Sequence, residues 1–193
     1  MRYDRLTRWL HAGIALGVTI QLGLSLFMEA PDDKDKVMVS GLPLELFEVH
    51  EKVGMTLLVI LVLHWLWSLS GHVQGRIGHL FPWFSRERMA DVMSEARDAL
   101  KFNFPDPATS TALAGAVHGL GLLVATGMAA SGAVVFFNLS ETGHMTGLGE
   151  TFEELHKIVA PLIWLYLISH VAVAAIHLRK GHTSVKEIFS LFK

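Results

Sequence analysis

Apolar residues fall along this chain in four blocks, about 9–28, 50–70, 110–138 and 156–178, separated by polar connections. Each block is near or above the ~20 residues an α-helix needs to cross the hydrocarbon core of a bilayer. The pattern predicts an all-α integral membrane protein. Four transmembrane helices form one bundle, within a single domain over residues 1–193. The first block is long and weakly delimited, and Phe27-Met28-Glu29-Ala30-Pro31 at its end is no small-residue cleavage site. It reads as a span rather than a cleaved leader.

A different period runs through the long connection 72–108. Met89, Val92, Met93, Ala96, Ala99 and Leu100 recur at helical spacing, with Arg88, Asp91, Glu95 and Asp98 on the other side. This predicts an amphipathic helix over about 86–101, capped by Ser85, that lies on the inner membrane surface or docks a partner. Phe81-Pro82-Trp83-Phe84 before it reads as an interfacial anchor. Pro105 and Pro107 close the connection, and Thr109 or Ser110 can cap the third span. In that span, Gly115 with Gly119 and Gly127 with Ser131 are small-xxx-small pairs, which read first as helix-packing sites. Pro161, in the first turns of the fourth span, is expected to bend it.

The 193 residues are 51% hydrophobic and contain no cysteine. Disulfides, iron–sulfur clusters and covalent c-type haem attachment are thereby excluded. The net charge of −2 says little, but its distribution says more. Arg2, Arg5 and Arg8 precede the first span. Arg76, Arg86, Arg88, Arg97 and Lys101 lie in the second connection, and Arg179, Lys180, Lys186 and Lys193 near the C-terminus. The other two connections are acidic, with Glu29, Asp32, Asp33, Asp35, Glu45 and Glu48 in one and Glu141, Glu150, Glu153 and Glu154 in the other. The positive-inside rule places both termini in the cytoplasm. No nucleic-acid partner is expected.

Eleven histidines are many for this length, and seven lie in or at the edges of the spans. His156 and His170 are fourteen residues apart in one apolar stretch. On a helix that is a rise of roughly 21 Å with about 40° of angular drift, so both imidazoles share a face. Ionisable side chains within a span are by default functional. Sorted by depth, His50 and His156 form an outer level. His11, His64, His118, His170 and His177 form an inner one. Two neutral imidazoles make a six-coordinate electron-transfer haem, so two levels need four ligands. At the outer level His50 pairs with His156, because His144 sits in a glycine-rich loop. At the inner level His170 is common to every choice, and its partner is His11, His64 or His118. Zinc is disfavoured by the long spacing and the absence of cysteine. Histidines that only hydrogen-bond between helices are the bland alternative for any one of them.

Arg8-Trp9-Leu10-His11, His50-x-x-x-Gly54 and the run His156-x13-His170-x6-His177 resemble the bacterial cytochrome b561 family. That family is related to the membrane cytochrome b subunits of nickel–iron hydrogenases and formate dehydrogenases. The resemblance covers nearly the whole chain, and the fourth-span motif is its most specific part. It implies two haem b groups held between the helices, with axial pairs His11–His170 and His50–His156. The sequence departs from the family pattern in having Ala12 after the first histidine and His64 where another residue, commonly basic, is usual.

The neighbours fit haem. Gly54, one turn after His50, lets a ring approach the backbone, and Arg8, Lys52, Lys157 and Arg179 near span ends suit propionates. Snorkelling is the plain alternative for each cation. His177 lies almost on the face of His170 and suits an inner propionate or a quinone. His72, His79 and His182 read as solvated loop residues.

Two haems at two depths would conduct electrons across the membrane, with ubiquinone or menaquinone as exchange partner. Quinone chemistry needs a titratable group beside the ring, and His64, His118 and His177 are the candidates, near the inner haem. Three functions follow. One is a self-contained quinone-linked oxidoreductase of the bacterial inner membrane; some members of the resembled family oxidise superoxide and reduce ubiquinone. Another is a membrane-anchor cytochrome b subunit, with a soluble redox partner at the acidic outer face or docked on the 72–108 segment. The third is a haem-free histidine-rich transporter.

Overall fold

The computed structural model describes residues 4–31, 40–70, 77–104, 112–140 and 142–191. Among the described residues the regular structure is all helical: α1 (Arg5–Leu24), α2 (Leu42–Leu69), α3 (Ile77–Leu80), α4 (Arg86–Leu100), α5 (Ala112–Asn138), α6 (Gly147–Arg179) and α7 (Ser184–Ile188). A 3₁₀ turn, Pro82–Phe84, joins α3 to α4. The acidic stretch at 32–39, His72, Arg76 and the expected caps Thr109 and Ser110 lie outside the described residues.

Among the described residues, α2, α5 and α6 are long and apolar enough to cross a membrane. The sequence predicts a fourth span in α1, whose 20 residues include Arg5, Arg8, His11, Thr19 and Gln21. Along α6, Ile158, Leu162, Leu165, Ile168 and Val171 are all exposed at three- and four-residue spacing. Such an apolar stripe suits lipid rather than water. This is a multi-pass membrane protein.

The helices begin where local chemistry lets them, not where the apolar blocks begin. Asp4 caps α1, its carboxylate accepting from the Thr7 amide at 2.9 Å and from the Thr7 hydroxyl. Thr146 starts α6, its hydroxyl accepting from the Gly149 amide at 3.4 Å and donating to Asn138 Oδ1 at 2.8 Å. Helix α2 therefore starts eight residues before His50, and α6 nine before His156. Those leading turns carry Glu45 and Glu48, and Glu150, Glu153 and Glu154, which favour a helix N-terminus. Both histidines lie two turns inside their helices rather than at helix starts. Helix α6 continues through Pro161.

The chain folds as two compact units. One comprises Met1–Ala12, Leu63–Leu123 and Leu165–Lys193; the other comprises Gly13–Val62 and Val124–Trp164. Every long helix contributes a segment to each.

In the first unit the small residues of α5 have an unexpected partner. A Cβ at Gly115 would lie 2.4 Å from the His79 carbonyl oxygen, and one at Gly119 would lie 2.0 Å from that of Leu80. The two glycines admit the backbone of the short α3, not a second long helix. Phe81 is buried and stacks on Trp65 with ring centres 5.8 Å apart, while Phe84 is exposed. The expected aromatic anchor is thus divided, half in the core and half outside. Helix α4 is capped by Ser85, whose hydroxyl accepts from the Arg88 amide at 3.4 Å. Val92 faces inward, and Met89, Met93 and Leu100 remain exposed. Glu95 accepts from the Leu113 amide at 2.9 Å and so supplies a partner for the start of α5.

Candidate functional site

Two facing imidazole pairs stand out. In the second unit, His50 of α2 faces His156 of α6, with ring centres 6.4 Å apart and planes at 84°. Ser131 of α5 is 2% exposed, and its hydroxyl lies 2.9 Å from His156 Nδ1. The same hydroxyl donates to the Met128 carbonyl at 3.0 Å, one turn back. A Cβ at Gly132 would touch His156 Cε1 at 3.2 Å, so this glycine lets the ring lie against α5. Gly54 packs on a different group from the one expected. A Cβ there would meet Gln21 Nε2 of α1 at 2.7 Å.

In the first unit, His11 of α1 faces His170 of α6, again with ring centres 6.4 Å apart, the planes at 48°. His118 of α5 is nearer to His170, at 5.2 Å and edge-on. Tyr166 stacks on His170 at 5.3 Å and 18°. The tyrosine ring is seated by Gly121, where a Cβ would lie 2.1 Å from Tyr166 Cζ. Phe189, just after α7, meets His11 edge-on at 5.5 Å. Among the described residues, His64 makes no ring contact with His170, but it shares the unit with His11.

The cations are held by protein groups. Arg8 is buried and donates to the Ser190 carbonyl at 2.7 Å and to the Ser190 hydroxyl at 3.3 Å. Lys52 pairs with Glu48 at 3.2 Å, and Lys157 with Glu153 at 2.9 Å and Glu154 at 3.6 Å, all on their own helices. Arg179 is exposed at the end of α6.

Two histidines expected to be solvated are partly buried, one of them, His182, still in the loop after α6. His182 is half-buried, with its Nδ1 2.8 Å from His177 Nδ1. The C-terminal turn of α6 causes this. Gly181 takes φ +82°, the His182 amide donates to the His177 carbonyl, and the two rings are thereby brought together, centres 5.0 Å apart and planes tilted at 38°. His79 is half-buried in α3 beside Gly115, and burial together with the neighbouring Arg88 charge pushes its pKa below 6.5.

A metal held by imidazoles on opposite sides tests the fit. With a metal–nitrogen bond of about 2.0 Å on each side and about 1.1 Å from nitrogen to ring centre, the two centres lie roughly 6.2 Å apart. Both 6.4 Å pairs match this value, and the 5.2 Å contact of His118 with His170 is too short for it. Among the described residues, the buried Nδ1 atoms of His11, His50 and His64 have no hydrogen-bond partner. Such a nitrogen is costly unless a ligand satisfies the ring.

Sequence reasoning overlooked Ser131, Tyr166, Gln21 and Phe189. Tyr166 was accessible, being four residues before His170 on one helix face. Ser131 was read only as a small packing residue. Gln21 and Phe189 reach their partners through tertiary structure alone.

Apolar helices of membrane-spanning length that carry facing imidazoles define a class, the membrane b-type cytochromes of electron transfer. The model of one family, prokaryotic cytochrome b561, matches residues 2–190, and the chain belongs to that family. No curated relative and no solved structure matches it.

Proposed function

We propose that the chain is a di-haem electron-transfer protein of the bacterial inner membrane that exchanges electrons with quinone. His50 and His156 hold the outer haem, and His11 and His170 the inner one. The observation that carries this reading is the equal 6.4 Å separation of the two imidazole pairs. Haem iron, when bound, supplies reversible one-electron redox chemistry at each centre. The protein supplies ligands, an apolar sheath and orientation. Helix α1 serves as the fourth span of the bundle, since it carries His11. Both termini face the cytoplasm, as the distribution of bases and acids supports.

Ubiquinone or menaquinone exchanges at the inner level. His118, His64 and His177 are the titratable groups there. A groove of about 280 Å³ lined by Leu6, Leu10, Leu63, Leu66 and Trp67 flanks His11 and His64 in the chain and suits a hydrocarbon tail. Of the cations expected to meet propionates, Arg179 is exposed at the end of α6, whereas Lys52 and Lys157 would have to leave their glutamates and Arg8 its bonds to Ser190. Superoxide is one donor that suits the outer level, where Lys52 and Lys157 offset the acidic loops.

A second reading, a membrane-anchor subunit for a soluble redox partner, is favoured by the exposed Met89, Met93 and Leu100 of α4. The acidic outer face offers such a partner another surface.

Pyridine haemochrome analysis of the purified protein should give two haems per chain, and His50→Ala should give one. A colourless protein would return the chain to the transporter reading. Reconstitution with quinone and superoxide separates the other two: quinol formed without an added subunit supports the enzyme, and inertness supports the anchor.

A further inference from the structure

We propose that Ser131 is a positioning residue that fixes the tautomer of His156 and lowers the reduction potential of the outer centre. This rests on the reading that His50 and His156 hold a haem. The argument starts from one proton. A serine hydroxyl has a single hydrogen, and that of Ser131 is directed to the Met128 carbonyl at 3.0 Å. What Ser131 offers His156 Nδ1 at 2.9 Å is therefore a lone pair. Two lone pairs at that distance would repel, so Nδ1 carries the hydrogen and donates it to Ser131 Oγ. The lone pair of the imidazole is then on Nε2, free for a metal.

Burial makes the contact consequential. Ser131 is 2% exposed, so water does not compete for the hydroxyl. Gly132, the next residue, brings the ring against α5 and fixes its tilt, with only 3.2 Å to His156 Cε1 from a Cβ placed there. The Nδ1 atoms of His50 and His11 are also buried but have no hydrogen-bond partner among the described residues. Among these three imidazoles, His156 alone is tuned by a hydroxyl. An oxygen acceptor on Nδ1–H raises the basicity of a ligating imidazole. A more basic ligand favours ferric over ferrous iron, which lowers the potential.

The test uses the full chain purified in detergent, with redox titration of the α-band and low-temperature electron paramagnetic resonance. His50→Ala identifies which titration step belongs to the outer centre. Ser131→Ala should retain two haems, raise the outer midpoint potential and shift the outer ferric signal, with the inner step unmoved. Ser131→Thr should restore the original potential. Unchanged potentials in Ser131→Ala, or equal shifts at both centres, overturn the proposal. If Ser131→Ala fails to hold the outer haem, Ser131→Thr decides: wild-type potential supports the assignment, and loss of haem there too overturns it. A wild-type chain with fewer than two haems is a separate result, since it removes the reading on which the proposal rests.

Discussion

The two imidazole pairs have the same separation and different means of support. His156 is held by a hydroxyl that itself belongs to the neighbouring helix. His170 is held by rings, with Tyr166 stacked on one side and His118 edge-on, and its partner His11 meets Phe189. A hydrogen bond specifies a tautomer and tunes a ligand. Ring stacking specifies an orientation and excludes water but leaves the tautomer open. Two imidazole pairs of equal separation are thus placed in two electrostatic settings.

The largest effects should come from the ligands themselves. His170→Ala and His11→Ala should each remove one haem by haemochrome count and leave the other spectrum intact, whereas His118→Ala and His64→Ala should retain two. Loss of a haem in either of the last pair would move the inner ligand off His11 and break the symmetry of the pairs. Next comes Gly121→Ala. Its Cβ would lie 2.1 Å from the Tyr166 ring, and overpacking of this kind costs about 1–3 kcal/mol. Thermal melting should fall and the inner α-band should shift, with the outer band fixed. A shift in both bands would mean that the ring clamp is not confined to His170. The smallest effect is expected for Lys157→Ala. That lysine is 60% exposed and paired only with its own helix, so stability should change by about 0.5 kcal/mol or less. A large shift of the outer potential in this variant would instead assign Lys157 to a propionate.

Sequence pattern made much of this legible because membrane spans and intramembrane histidines are costly and therefore conspicuous. The depth sorting already set His50 against His156, and it left His170 with three partners. His11 and His118 differ in ring-centre distance from His170, 6.4 against 5.2 Å, and His64 makes no ring contact with it among the described residues; no spacing rule contains such differences. Helix starts lie outside the apolar blocks for a related reason. Hydropathy reports lipid, whereas Thr146 and the glutamates after it report backbone capping, and the two boundaries differ by more than two turns. Gly115 and Gly119 were recognised as sites of close approach. Their partner was missed because α3 is a single turn, with no period to read. His182 was hidden by the assumption that a polar residue beyond a helix end is solvated, although the left-handed Gly181 turns it back onto His177.

The bond from Arg8 to Ser190 joins residues 182 positions apart. It has a consequence for biosynthesis. Every residue of the outer pair, and the serine that supports it, has been made once the ribosome passes residue 156. The other pair lacks His170 until later, and the buried Arg8 guanidinium lacks its bonds to Ser190 until residue 190 has been made. The residues of the His50–His156 pair are therefore all made before those of the His11–His170 pair are complete.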